Sequence, residues 1–110
     1  MKINEYVKEA YNNAAEKGWH EKERSIGELI ALMHSELSEA LEEHRNGHAP
    51  NETYYPEGSL KPEGIPVELA DCVIRIFDFC GKYDIDLEDA INTKMQYNKS
   101  RPHRHGGKKL

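Results

Sequence analysis

The stretch Pro66-Val67-Glu68-Leu69-Ala70-Asp71-Cys72-Val73-Ile74-Arg75-Ile76-Phe77-Asp78-Phe79-Cys80-Gly81 decides the fold class. Proline opens it and glycine closes it. That is the asymmetry of an α-helix, because the N–H that proline lacks has no intrahelical partner in the first turn anyway. Val67, Leu69, Ala70, Val73, Ile74, Ile76, Phe77 and Cys80 spread apolar side chains over most of the helix circumference. A helix apolar on most sides must be covered on most sides, so this one is predicted to be the central, most buried helix. Yet two acids, Glu68 and Asp71, stand in its opening turns, three residues apart and therefore on one face.

On the N-terminal side, residues 48 to 65 hold Pro50, Pro56 and Pro62 together with Gly58, Ser59 and Gly64. This predicts a loop, and one so long in a small domain is usually functional or mobile. Before it, Ser25 followed by Glu28 is a capping-box pattern, in which each side chain satisfies an orphan backbone donor. Ile26, Leu29, Ile30, Met33, Leu37, Ala40 and Leu41 continue as one stripe, and Asn46 or Gly47 can supply a left-handed end. A first amphipathic helix is predicted from about Asn4 to Lys17, stopped by Gly18, with Trp19 and His20 in the connection. On the C-terminal side Asp86 can cap a last helix with Leu87, Ala90, Ile91 and Met95 on its stripe. No segment of useful length alternates with the period of a strand. The fold class is all-α.

The chain has 110 residues, 37% of them apolar and 32% charged, with a net charge of -5. That is one domain with a modest core, of the size that often completes its burial by oligomerising. The negative charge disfavours non-specific contact with nucleic acid or an anionic membrane. No apolar run approaches the roughly 20 residues needed to span a bilayer. The opening Met1-Lys2-Ile3-Asn4-Glu5 lacks the apolar stretch of a signal peptide. Cys72 and Cys80 would lie about 12 Å apart along one helix, too far to bridge. These features together predict a cytoplasmic protein with reduced core cysteines.

Glu36 and Glu39 repeat, on the second helix, the spacing of Glu68 and Asp71 on the third, and Glu43 follows on the same side. Acidic pairs at this spacing are common on exposed helices. Here both pairs lie beside the densest apolar runs, and one polar loop joins the helices that carry them. Metal sites in helix bundles are built this way, from carboxylates on facing helices. Partly shielded carboxylates brought together need protons or cations, and Mg2+ or Mn2+ suits an all-oxygen set.

The order Glu36-x-x-Glu39, then Glu68-Leu69-Ala70-Asp71 entering an apolar helix, then Lys94-x-x-x-Asn98, then a basic tail, resembles the MazG-type all-α nucleoside triphosphate pyrophosphohydrolases. The resemblance covers roughly residues 25 to 105. It implies a four-helix bundle unit over residues 1–100, a basic tail over 101–110, and completion as a homodimer or dimer of dimers. It also implies hydrolysis of a nucleoside triphosphate to the monophosphate and pyrophosphate, with Mg2+, or Mn2+ in its place, held by Glu36, Glu39, Glu68 and Asp71. One of the glutamates would serve as base. Lys94 and Asn98 would face the triphosphate, Trp19 would stack on the base, and Arg101 with the rest of the tail would close over phosphate. Ser35 stands where the family often has a second acid before Glu36, which leaves the number of metals open. A non-catalytic helical interaction or metal-binding protein related to this family is the alternative. Hydrolysis of another pyrophosphate-containing metabolite, such as a phosphoribosyl-ATP, is a third.

Arg75 and Asp78 follow Asp71 at about one-turn intervals and suggest an ion pair that orients the site, or a polar strip at a subunit contact. His34 points away from Glu36 on the helical wheel and reads as structural. His103 and His105 are a weak metal signal in a basic tail. Cys72 and Cys80 show no arrangement suggestive of a nucleophile, so core packing is the default.

Overall fold

A computed structural model describes residues 1–102 and contains four α-helices: α1 (Ile3–Glu16), α2 (Ile26–Arg45), α3 (Ile65–Lys82) and α4 (Leu87–Ser100). A single 3-10 turn, Trp19–Glu21, lies between α1 and α2. Among the described residues the only strand-like pairing is one antiparallel bridge, Tyr54 with Glu63. The all-α reading holds. Of the tail, Arg101 and Pro102 are described; His103, Arg104, His105, Lys108 and Lys109 lie outside the described residues.

The local rules explain where each helix starts. Ser25 Oγ accepts from the Glu28 N–H and the Glu28 carboxylate accepts from the Ser25 N–H, so the capping box is complete. Such a cap contributes about 1 kcal/mol. Asp86 accepts from the Asp89 N–H in the same way, and Asn4 Nδ2 also donates to it at 2.9 Å. These two bonds hold the Asp86 carboxyl below its ordinary range, with Asn4 the larger cause. α3 starts one residue earlier than proline alone suggests, at Ile65. Gly64 precedes it with φ 128°, and a Cβ there would collide with the Glu52 carbonyl. Only glycine fits that corner.

α3 is central, packed against α1 on one side and α2 on the other. Gly81 lets α1 approach closely, since a Cβ at that position would strike the Tyr11 ring. Tyr6 stacks on Phe77 with ring centres 5.7 Å apart. The buried apolar set is small: Val7, Leu29, Ala40, Cys72 and Cys80. Both cysteines are free. Centrality has not brought full burial to α3, because Leu69 is 46% exposed and Ile74 50%. On α2 the stripe residues Ile30, Leu37 and Leu41 are also open to solvent. Their spacing places them on one face, so α2 buries one side of its apolar stripe against α3 and leaves the other uncovered.

α4 differs from the other three. It packs mainly against α1, and from Asn92 to Ser100 every residue is exposed. The radius of gyration is 16.8 Å, against roughly 13 Å for a compact domain of this length. The four helices therefore do not close into a bundle within one chain.

The loop between α2 and α3 is pinned at several points. Tyr54 Oη donates to the Glu43 carboxylate (2.8 Å to Oε2), and the His48 ring stacks on Tyr54 at 4.4 Å. The Tyr54–Glu63 bridge is closed by backbone bonds of 2.9 and 2.8 Å. Donation to Glu43 pushes the Tyr54 hydroxyl up to about 12, with burial adding to it. Glu43 thus anchors the loop instead of extending the row of acids begun by Glu36 and Glu39.

Candidate metal and phosphate site

Glu68 lies in the first turn of α3, where the unpaired backbone N–H groups favour an anion. Asp71 follows one turn later on the same face. α2 crosses so that Glu36 meets them, and one carboxylate oxygen from each residue lies within 4.8 Å of the other two. All three side chains are half-buried. Burial raises the Glu68 carboxyl above its ordinary value, and the charges of Asp71 and Glu36 raise it further. Asp71 is raised by burial and then by Glu36, while Arg75 and Lys61 work in the opposite direction. The crowded oxygens hold protons more tightly because their charges repel, and a divalent cation relieves that repulsion. The donor set is all oxygen, which fits Mg2+ or Mn2+.

Glu39 stands apart from this trio. It is exposed, one turn from Glu36, yet near enough for its charge to add to the upward shift of Glu68. Ser35 turns its hydroxyl back to the Leu32 carbonyl at 2.6 Å. His34 is exposed and outside the cluster.

Arg75 reaches across from α3 to α2, where its Nε donates to Glu36 Oε1 at 3.0 Å. Asp78 does not pair with it. Asp78 is buried and hydrogen-bonded to His20 Nε2 at 2.7 Å, and the His20 ring packs on Tyr11 at 4.9 Å. Sequence spacing correctly puts Arg75 and Asp78 on one face, but their partners come from two other segments. The pairing expected between them is replaced by two longer-range ones.

Beside the acids opens a cavity of about 320 Å³. α1 contributes Ala10, Asn13 and Ala14 to its wall, and the rest includes Trp19, Glu36, Asp71, Ile74, Arg75 and Asp78. Trp19 is thus brought to the acids, as expected of a ring near the site. Arg24 stacks on that ring, its Cζ 3.6 Å from the ring centre, and donates to the Trp19 carbonyl. The Arg75 Cζ lies 5.5 Å from the same centre. Asn13 escaped the sequence reading; the small residues Ala10 and Ala14 flanking its face of α1 were the available signal.

Lys94, Asn98 and Arg101 are not brought to this cavity. Lys94 and Asn98 are exposed on the outer half of α4, and Asn98 lines a separate depression with Met95 and Lys99. The Lys94 Nζ and Arg101 Cζ lie 4.9 and 5.6 Å from the Tyr97 ring centre, so both cations gather at the far end of that helix. No helix among the described residues is long and apolar enough to cross a membrane.

No protein-family model matches the chain, and no curated protein and no solved structure matches it either.

Proposed function

We propose that the chain is a Mg2+-dependent nucleotide pyrophosphohydrolase that converts a (deoxy)nucleoside triphosphate to its monophosphate and pyrophosphate. The observation that carries this reading is the convergence of Glu36, Glu68 and Asp71 from two helices, at the edge of a cavity that also contains an indole ring and a guanidinium. The resemblance in motif order supplies the reaction. Glu36, Glu68 and Asp71 would hold the metal, with Glu39 as the outer member of the set. An ion held there would supply charge neutralisation for the phosphates and a more acidic water. A glutamate of the cluster would accept a proton from the water that attacks the α-phosphorus, and the bond from that phosphorus to the α–β bridging oxygen would break, the oxygen leaving with pyrophosphate. Trp19 offers a stacking surface for the base.

In this reading the functional unit is at least a dimer. The exposed stripe of Ile30, Leu37 and Leu41 on α2 is an apolar surface available to a second copy. The projecting half of α4 would then carry Lys94 and Asn98 to the site of the partner copy. The same exposed stripe favours the alternative of a helical interaction protein, which predicts association without turnover.

The test is pyrophosphate release from a panel of ribo- and deoxyribonucleoside triphosphates and phosphoribosyl-ATP, with and without Mg2+. Mg2+-dependent release that Glu68→Gln abolishes is expected. If no compound is turned over, and Glu39→Gln with Glu68→Gln leaves metal binding unchanged, the enzyme reading is dropped.

A further inference from the structure

Three carboxylates and one divalent cation still leave a net negative site, and a nucleoside triphosphate is itself a polyanion. A second positive group must face the substrate in the same cavity. Arg75 is the one cation among the described residues lining it. Its Nε is committed to Glu36 Oε1 at 3.0 Å, while Nη1 and Nη2 have no hydrogen-bond partner among the described residues. The side chain is 31% exposed, so the free edge is open to an incoming ligand. The guanidinium is therefore anchored on one side and available on the other, next to Asp71 and Trp19. A planar fork held in this way keeps its donors aligned and loses little further freedom when it binds phosphate oxygens.

We infer that Arg75 is the residue of this chain that binds substrate phosphate, gripping a phosphate oxygen through Nη1 and Nη2 while Nε keeps Glu36 in place. The inference rests on the triphosphate reading above and adds to it a ligand-contacting residue that the motif resemblance does not include. It also assigns the chain's own cavity a phosphate partner that Lys94, on the exposed half of α4, does not supply within one chain.

The experiment uses the full chain as wild type, Arg75→Gln and Arg75→Lys. Calorimetric titration in excess Mg2+ is made with inorganic tripolyphosphate, which has no base, and with an α,β-methylene nucleoside triphosphate. Mn2+ affinity is measured separately by electron paramagnetic resonance, and circular dichroism confirms the helices. Arg75→Gln is expected to weaken tripolyphosphate and nucleotide binding alike by roughly tenfold or more, the loss of a charge-assisted hydrogen bond. Arg75→Lys should recover part of that loss, and Mn2+ affinity should change by less than about threefold because the carboxylates remain. Unchanged tripolyphosphate binding by Arg75→Gln would overturn the inference and leave the triphosphate reading standing. So would a parallel fall in Mn2+ affinity, which would make Arg75 a positioning residue for Glu36. A loss confined to the nucleotide would show that Arg75 reads the base instead. Wild type that binds Mn2+ but neither polyanion would remove the triphosphate reading and this inference together.

Discussion

α3 and α4 begin alike, each with an acid in its first turn and each placed in one site by the motif order. In the folded chain they part. α3 lies between α1 and α2, and its two acids meet Glu36 at the edge of a cavity. α4 is fastened by its first turn to Asn4 of α1, and from Asn92 its residues run exposed to Ser100. The acids of α3 meet their carboxylate neighbour within one chain. Lys94 and Asn98 of α4 are not brought to them. The difference separates residues brought together by intrachain packing from residues that the fold of one chain leaves on its surface.

The largest effect should come from breaking the α3 half. Glu68→Gln or Asp71→Asn is expected to lower kcat/KM by at least roughly 100-fold, since the loss of a metal ligand exceeds the 10–100-fold typical of its outer partners. Lys94→Gln should cost about tenfold, one charge-assisted contact. Mixing inactive Glu68→Gln chains with Lys94→Gln chains then sharpens the comparison. If α4 serves the partner's site, mixed dimers regain activity; if α4 serves its own, mixing restores nothing.

The open face of α2 gives the next effect. On the proposed association through this face, the parent should sediment as a dimer or larger, and Leu37→Ser combined with Leu41→Ser as a monomer. Both side chains are about half exposed in the single chain, so their direct cost to folding is only about 0.5 kcal/mol each. An unchanged sedimentation coefficient would place the interface elsewhere. Ser25→Ala is smaller and purely local. Losing the capping box should cost about 1 kcal/mol, read as a lower Tm, with the metal affinity untouched.

The smallest effect is electrostatic. Glu68 and Asp71 are raised in the folded chain, so the native state retains protons that the unfolded state has released. Metal-free stability therefore falls as pH rises from the ordinary carboxylate range through the raised folded values, and it stays reduced above them. Glu68→Gln removes one of the repelling charges. It should be slightly more stable than the metal-free parent at about pH 7.5, with the gap closing toward about pH 3, where Glu68 is protonated in both states. Mg2+ at a given concentration should stabilise the parent more than this variant. A gap that stays constant with pH would show that Glu68 is not under this repulsion.

Much of this was legible in the residues because it is local. Ser25 with Glu28, Asp86 before Leu87, and Pro66 in the first turn of α3 mark helix starts through features local to a few residues, whereas Gly81, read as the end of α3, lies inside it, and the helix runs on to Lys82. The three-residue spacing of Glu68 and Asp71 guarantees a shared face wherever the helix packs. What escaped depends on how elements cross. Nothing in the spacing says that Arg75 reaches Glu36, that Asp78 takes His20, or that Glu43 is used by Tyr54. The apolar stripe of α2 has the same limit, since periodicity identifies a face to be covered and not what covers it. α4 was the extreme case. Its Lys94 and Asn98 share a face as their spacing requires, but the direction of the whole helix is set by contacts at Asn4 and Asp86.

The central claim is that Glu36, Glu68 and Asp71 form one divalent metal site, and Mn2+ binding followed by electron paramagnetic resonance tests it most directly. Wild type should bind Mn2+ and release it to excess Mg2+. Glu36→Gln, Glu68→Gln and Asp71→Asn should each weaken it by roughly tenfold or more, and Glu39→Gln by less, as an outer member of the set would. Absence of binding, or binding that none of the three substitutions weakens, would contradict the account.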